Sequence, residues 1–243
     1  MNDTFDIIIL NGRPASGKSE IIDYLLKLPD EERRARFHMG KLGFIDDFPM
    51  LWTWFEEDHI LAEKLGKPRL HTDAEGYFKY EYLWHLLIER IDLEYRKLLR
   101  DHPDYYDHHT TIVEFARGTE HGGYRAAYPH LSDELLARAG ILYVDVPFEE
   151  SLRKNRRRFN PDKPDSILEH GLPDAKLERL YGETDWEEFT DGDPAFVRVR
   201  SLSVPYVVFE NEDDVTTDTP DLLAARLEER LNRLWRLRAL SSS

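Results

Sequence analysis

The run Gly12-Arg13-Pro14-Ala15-Ser16-Gly17-Lys18-Ser19 constrains this chain more than any other stretch. Ahead of it, residues 5–10 form an apolar, β-branched run that reads as a buried strand. Behind it, residues 20–28 carry apolar side chains at helical spacing, and Pro29 and Asp30 end that helix. The pattern Gly-x-x-x-x-Gly-Lys-Ser thus sits between a strand and a helix, the context in which it forms a P-loop.

The spacing has a physical reason. Gly12 and Gly17 let the backbone turn tightly with N–H groups pointing inward, and neither presents a Cβ to a phosphate. The helix that starts near Lys18 adds the positive end of its dipole. The Lys18 ammonium is expected on the β- and γ-phosphates and the Ser19 hydroxyl on Mg²⁺. Arg13, Pro14, Ala15 and Ser16 supply the rest of the loop that cradles the nucleotide phosphates.

Composition narrows the partners. The net charge is −15, whereas a protein that tracks a phosphate backbone carries a broad basic surface. Phosphate affinity is therefore local, which favours a small phosphorylated ligand over DNA or RNA. No run approaches the length of a membrane span, and the N-terminus has no basic n-region, so neither a membrane partner nor a signal peptide is expected. The absence of cysteine excludes disulfides, zinc–thiolate sites and a cysteine nucleophile, and fits a cytoplasmic protein. Nothing in the sequence sets the oligomeric state.

Further along, residues 37–40 read as a weak second strand, and residues 42–49 as a loop holding the paired carboxylates Asp46 and Asp47. Such a pair is able to orient a substrate hydroxyl or a Mg²⁺-bound water, or to be a solvated turn. Residues 50–100 look helical and unusually aromatic; the rings either form a helical core or face a cleft and stack a planar substrate. The His/Asp-rich residues 101–109 read as a polar connection rather than a metal site. Residues 110–115 form an apolar strand that ends in Glu114, with Arg117 three residues on. A carboxylate there is placed near Mg²⁺ and the attacking group, and Arg117 then faces the γ-phosphate or an acidic substrate group. Asp145, at the end of the strand over residues 141–146, is the rival acid. Residues 120–125 read as a mobile loop, and Gly140 as the end of a helix from Ser132. The basic run 153–158 and the charged sequence up to Asp193 have the composition of a lid that closes arginines on the polyphosphate. A minor strand over 196–199, a core strand over 204–209 and an amphipathic helix after Pro220 complete the chain.

In sum the chain resembles the P-loop kinases of the nucleoside and nucleotide kinase group. The resemblance rests on Gly12 to Ser19, on Glu114-x-x-Arg117, on Val144-Asp145-Val146-Pro147 leading to an arginine-rich helix, and on Tyr206-Val207-Val208-Phe209-Glu210-Asn211. It implies a three-layer α/β/α sandwich: a five-stranded parallel sheet with the P-loop strand central, a helical substrate insertion over about residues 48–108, and a lid over about 151–193. All 243 residues then belong to one domain. It also implies that Glu114 lies near Mg²⁺ and the acceptor hydroxyl, that Arg117 clamps substrate or phosphate, that Arg153, Arg156 and Arg157 are lid arginines, and that Asn211 lies near adenine. The chain departs from adenylate kinases, which have Asp-Gly-Phe-Pro-Arg where this one has Glu-Phe-Ala-Arg.

The expected activity is an ATP- and Mg²⁺-dependent phosphotransfer to a small molecule such as a nucleoside or nucleotide. Lys18, Arg117 and Arg157 neutralise charge, Glu114 orients the acceptor, and Asp46, Asp47, Glu114 and Arg117 contact it. A regulatory ATP-binding protein without an acceptor, with Asp145 as its acid, remains a second reading, and an RNA-end kinase a third. The sequence lacks the Asn-Lys-x-Asp guanine signature of GTPase switches.

Overall fold

Strand β1 (Ile7–Gly12) is buried along its whole length because both of its faces are covered. Ile7 and Ile9 point into one core, Ile8 and Leu10 into another, as the two-residue period of a strand requires. The computed structural model describes residues 3–158 and 172–241. After β1 the order is α1 (Lys18–Lys27), α2 (Asp30–Phe37), β2 (Lys41–Asp46), α3 (Asp47–His59), α4 (Tyr82–Asp101), β3 (His109–Glu114), α5 (Gly123–Ala127), α6 (Asp133–Arg138) and β4 (Ala139–Asp145). Then follow α7 (Phe148–Arg158), α8 (Asp174–Tyr181), α9 (Trp186–Thr190), β5 (Phe196–Val199), β6 (Leu202–Glu210), α10 (Val215–Asp218) and α11 (Pro220–Ser241).

The sheet order is β2-β3-β1-β4-β6-β5. The first five strands are parallel, with β1 between β3 and β4; β5 joins β6 antiparallel at the edge. The expected five-stranded parallel sheet is therefore present with a sixth, antiparallel strand added. Val197 and Val199 of that strand are buried, so it closes one end of the core instead of lying on the surface. One face of the sheet is covered by α4, α5, α6 and α9, and the other by α1 and α11, giving an α/β/α sandwich.

Two local expectations fail. The second strand is residues 41–46, not 37–40, and its partner is β3. It lies at the sheet edge with Phe44 half-exposed, so its sequence lacks the long apolar run of a central strand. Gly140 belongs to β4 rather than to a helix end, and Leu234 of α11 packs directly against it.

A third core, separate from the two that sandwich the sheet, joins Trp54 of α3, Leu83, Trp84 and Leu87 of α4, and Leu177, Leu180 and Tyr181 of α8. The aromatic stretch expected as a helical core thus packs against the far end of the lid-like segment. Residues 160–165, the expected lid loop, lie outside the described residues. Among the described residues no helix is long and apolar enough to cross a membrane.

Candidate active site

The loop after β1 needs its glycines for two reasons. Gly12 and Gly17 have φ of 143° and 111°, a region that L side chains rarely adopt. They are also tightly enclosed. A Cβ on Gly12 would lie 2.5 Å from the Val144 carbonyl oxygen, and one on Gly17 would lie 2.6 Å from Asn211 Nδ2. So β4 and the segment after β6 press on the loop from outside, a demand that the phosphate-binding pattern alone does not reveal. No side chain caps the N-terminus of α1.

Lys18 is buried, and its ammonium donates to the carbonyl oxygens of Gly12 (3.1 Å) and Arg13 (2.8 Å). It stands 3.8 Å from Glu114 Oε1. Glu114 reaches this position because β3 pairs with β1, which sets Leu10 opposite Glu114. The next strand brings a second carboxylate, since Asp46 is the register partner of Glu114. Asp46 Oδ1 accepts a hydrogen bond from Phe48 N (2.9 Å) and so caps α3. Burial pushes the Asp46 carboxyl up to about 8, helped by the negative charges of Glu114 and Asp47 and opposed by the Phe48 N–H and Lys18. Lys18, Glu114 and Asp46 therefore converge at the C-terminal ends of adjacent parallel strands, where open α/β sheets bind ligands.

Asp47 and Arg117 do something else. Arg117 Nη1 donates to Asp47 Oδ2 (2.7 Å) and to the Ala116 carbonyl oxygen (2.6 Å), and Nη2 donates to the Trp84 carbonyl oxygen (3.1 Å). The guanidinium is fully buried over the Trp84 and Phe115 rings. It ties the start of α3 and the first turn of α4 to the end of β3, and so braces them.

Asn211 is also fully buried. Its Nδ2 donates to the Ser16 carbonyl oxygen (2.8 Å) and to Thr216 Oγ1 (2.8 Å), which holds the P-loop to α10. Arg13 turns its guanidinium outward from the loop and donates to the carbonyl oxygens of Tyr181 (3.2 Å), Val146 (3.0 Å) and Gly182 (3.5 Å). Pro14 O accepts from Ser151 Oγ (2.8 Å). Three arginines of α7 are engaged at the surface: Arg153 with Glu150 and Asp214, Arg156 with Asp174, and Arg157 with Thr217 Oγ1 (3.0 Å). Asp145 lies at the end of β4, its carbonyl accepting from Asn211 N (2.9 Å). Burial pushes its carboxyl up, while Arg13 pulls it down.

Other supporting residues escaped the sequence reading. Gly12 N donates to Tyr124 Oη (3.2 Å), and Tyr128 Oη donates to Asn11 Oδ1 (2.6 Å), so two fully buried tyrosines fix the loop from beneath. Tyr124 lies in the segment expected to be mobile. That segment is instead locked: His121 is fully buried and stacks on Trp84 with ring centroids 3.7 Å apart, while Asp185 caps the backbone of Tyr124 and Arg125. Desolvation, with the Arg117 charge, drives the His121 imidazole down to about 2. Nothing in a single sequence marks these contacts, which join residues far apart in the chain. Among the described residues no group of three or more His, Cys, Asp or Glu side chains is disposed to hold a metal.

No family model matches the chain, and no curated protein does. Solved structures do resemble it. The chain is similar to a sugar kinase from Janibacter sp. HTCC2649, at 14% identity over 96% of this chain and 98% of that one with a TM-score of 0.40. It is similar to a candidate kinase from Chloroflexus aurantiacus, at 12% identity over 93% and 98% with a TM-score of 0.48. Shikimate kinase from Acinetobacter baumannii, solved with shikimate, matches at 16% identity over 78% of each chain with a TM-score of 0.35. At such low identity the chemistry of the site has to be read from its own residues.

Proposed function

We propose that the protein transfers the γ-phosphoryl group of ATP to a hydroxyl of a small molecule, with Mg²⁺. The observation that carries this reading is the convergence of the Lys18 ammonium, held by two P-loop carbonyls, with Glu114 and Asp46 on neighbouring strands. A cation aimed at phosphates and two carboxylates beside it are what in-line transfer between two oxygens requires. Residues 48–108 serve as the acceptor insertion and 151–193 as the lid in this reading.

Mg²⁺ fits the donors present, because Ser19, beside Lys18 at the start of α1, and Glu114, 3.8 Å from Lys18, both offer hard oxygen ligands. When bound, the ion would supply charge neutralisation between phosphate oxygens. The chain's own residues do the rest. Lys18 and the P-loop N–H groups hold the polyphosphate. Asp46 and Glu114 orient the acceptor hydroxyl, and a carboxylate of the pair receives its proton as the new O–P bond forms and the bond to the ADP oxygen breaks. The Arg117–Asp47 brace keeps α3, and with it Asp46, in place.

The test is ADP release with and without a panel of alcohols, with Lys18→Ala as the blank. Release that one acceptor stimulates and the blank lacks supports the kinase. ATP binding without stimulation by any acceptor would instead favour a regulatory ATP-binding protein.

A further inference from the structure

A hollow of about 490 Å³ begins at Phe48, two residues after Asp46. Phe48, Trp52 and Phe55 of α3 form one wall; Tyr77, Trp84 and Tyr181 form others. Phe48 links hollow and site, since its side chain lines the hollow while its N–H is bonded to Asp46 Oδ1. Trp84 links them a second time through the Arg117–Asp47 pair. We propose that this hollow is the acceptor site and that the acceptor is an uncharged, planar aromatic alcohol: a flat ring, carbocyclic or heterocyclic, with a hydroxyl on a short arm. The inference rests on the phosphotransfer reading above and adds the substrate class to it.

Three observations select this chemistry. The volume suits one ring system with a short substituent, within the range of about 300–1,000 Å³ typical of ligand sites. The walls are rich in aromatic side chains, which favour contact with another ring beyond simple area burial. A sugar ring, by contrast, has no flat π-face to set against these rings.

The third observation concerns charge. The cations that line the hollow among the described residues are already engaged. Arg179 is paired with Glu120 (2.7 Å) and lies over Tyr77, and the Lys176 ammonium donates to the Gly76 carbonyl and lies over Phe55 and Tyr77. Glu75, Glu81 and Glu120 line it too, so carboxylates outnumber cations. A phosphorylated or carboxylated acceptor would meet repulsion with no free guanidinium in this lining to offset it. The reacting hydroxyl lies at the Phe48 end, its oxygen bonding to the γ-phosphorus as the bond from that phosphorus to ADP breaks. The products are a phosphate monoester, ADP and one proton.

The experiment has two independent readouts. Trp52 and Trp84 line the hollow, so quenching of intrinsic fluorescence reports occupancy without ATP. ADP release reports transfer. The panel has nucleosides as one arm, simple arylalkyl alcohols as a second, and a hexose and a nucleoside monophosphate as controls. Quenching and ADP release with a ring alcohol, and neither with the controls, is the expected result, and the responding arm names the source of the ring. Trp52→Leu should then raise the acceptor KM about two- to ten-fold while kcat is retained. Stimulation by the hexose or the monophosphate without response to any ring alcohol overturns the proposal and leaves the kinase reading standing. Quenching without ADP release above the Lys18→Ala blank overturns the acceptor role and the phosphotransfer reading together.

Discussion

Asp46 and Glu114 are register partners on adjacent parallel strands, so two carboxylates emerge side by side at the mouth of the P-loop. Lys18 of the loop stands 3.8 Å from Glu114. Burial and the neighbouring acids push the Asp46 carboxyl up to about 8, the kind of local conflict expected where chemistry is done. Asp46→Asn and Glu114→Gln keep the shape and remove one titratable carboxyl each. Each should lower kcat for ADP release by about 10²- to 10⁴-fold without lowering the melting temperature. A loss of activity that tracks a loss of stability would mean that these carboxylates are structural.

The Asp47–Arg117 pair makes the opposite prediction. Both side chains are buried, so removing one strands the other charge in a low-dielectric site. Arg117→Ala should cost about 3–5 kcal/mol in urea unfolding, and Arg117→Lys should restore little because lysine cannot make the forked contacts to Asp47, Ala116 and Trp84. Asp47→Leu combined with Arg117→Met should be milder than either single change to alanine.

Asn211 separates two roles by donor specificity. As a brace on Ser16 and Thr216, its replacement by alanine should raise KM for ATP and for GTP by similar factors. As an adenine contact, it would change the ratio between the two nucleotides. The buried geometry predicts an unchanged ratio.

His121 sets a pH dependence. Its imidazole is held neutral in the folded protein, with a pKa of about 2 against an ordinary value of 6.5. The unfolded chain therefore binds a proton that the folded one refuses as pH falls below 6.5. Stability from this residue is complete above that value and declines on acidification, at up to about 1.4 kcal/mol per pH unit. His121→Phe keeps an aromatic ring against Trp84 and removes the titration. Urea midpoints between pH 7 and 4 should fall less steeply for the variant than for the parent; equal slopes would place His121 in contact with solvent.

Much of the architecture was legible because local physics wrote it into the chain. The doubly buried strand β1, the glycine spacing after it and the helical period of α1 and α11 each come from short-range patterns. The edge strand β2 was not legible, because a half-exposed strand has no long apolar run and its identity depends on pairing with β3. The same holds for the segment around His121 and Tyr124, whose glycines and polar residues look like a loop until the core closes over them.

For the site, the glycine spacing after β1 and an acid at the end of β3 were readable from residue type next to a strand. Tertiary structure decided how the neighbouring charges divide. Asp46 and Asp47 are adjacent in the chain, yet one is the register partner of Glu114 and the other is paired with buried Arg117. Arg117 and Asn211, both expected at a ligand, donate to the backbone carbonyls of Trp84 and Ser16. Which polar side chain faces a ligand and which one satisfies a buried carbonyl depends on partners up to 195 positions away in the chain, which no local pattern encodes.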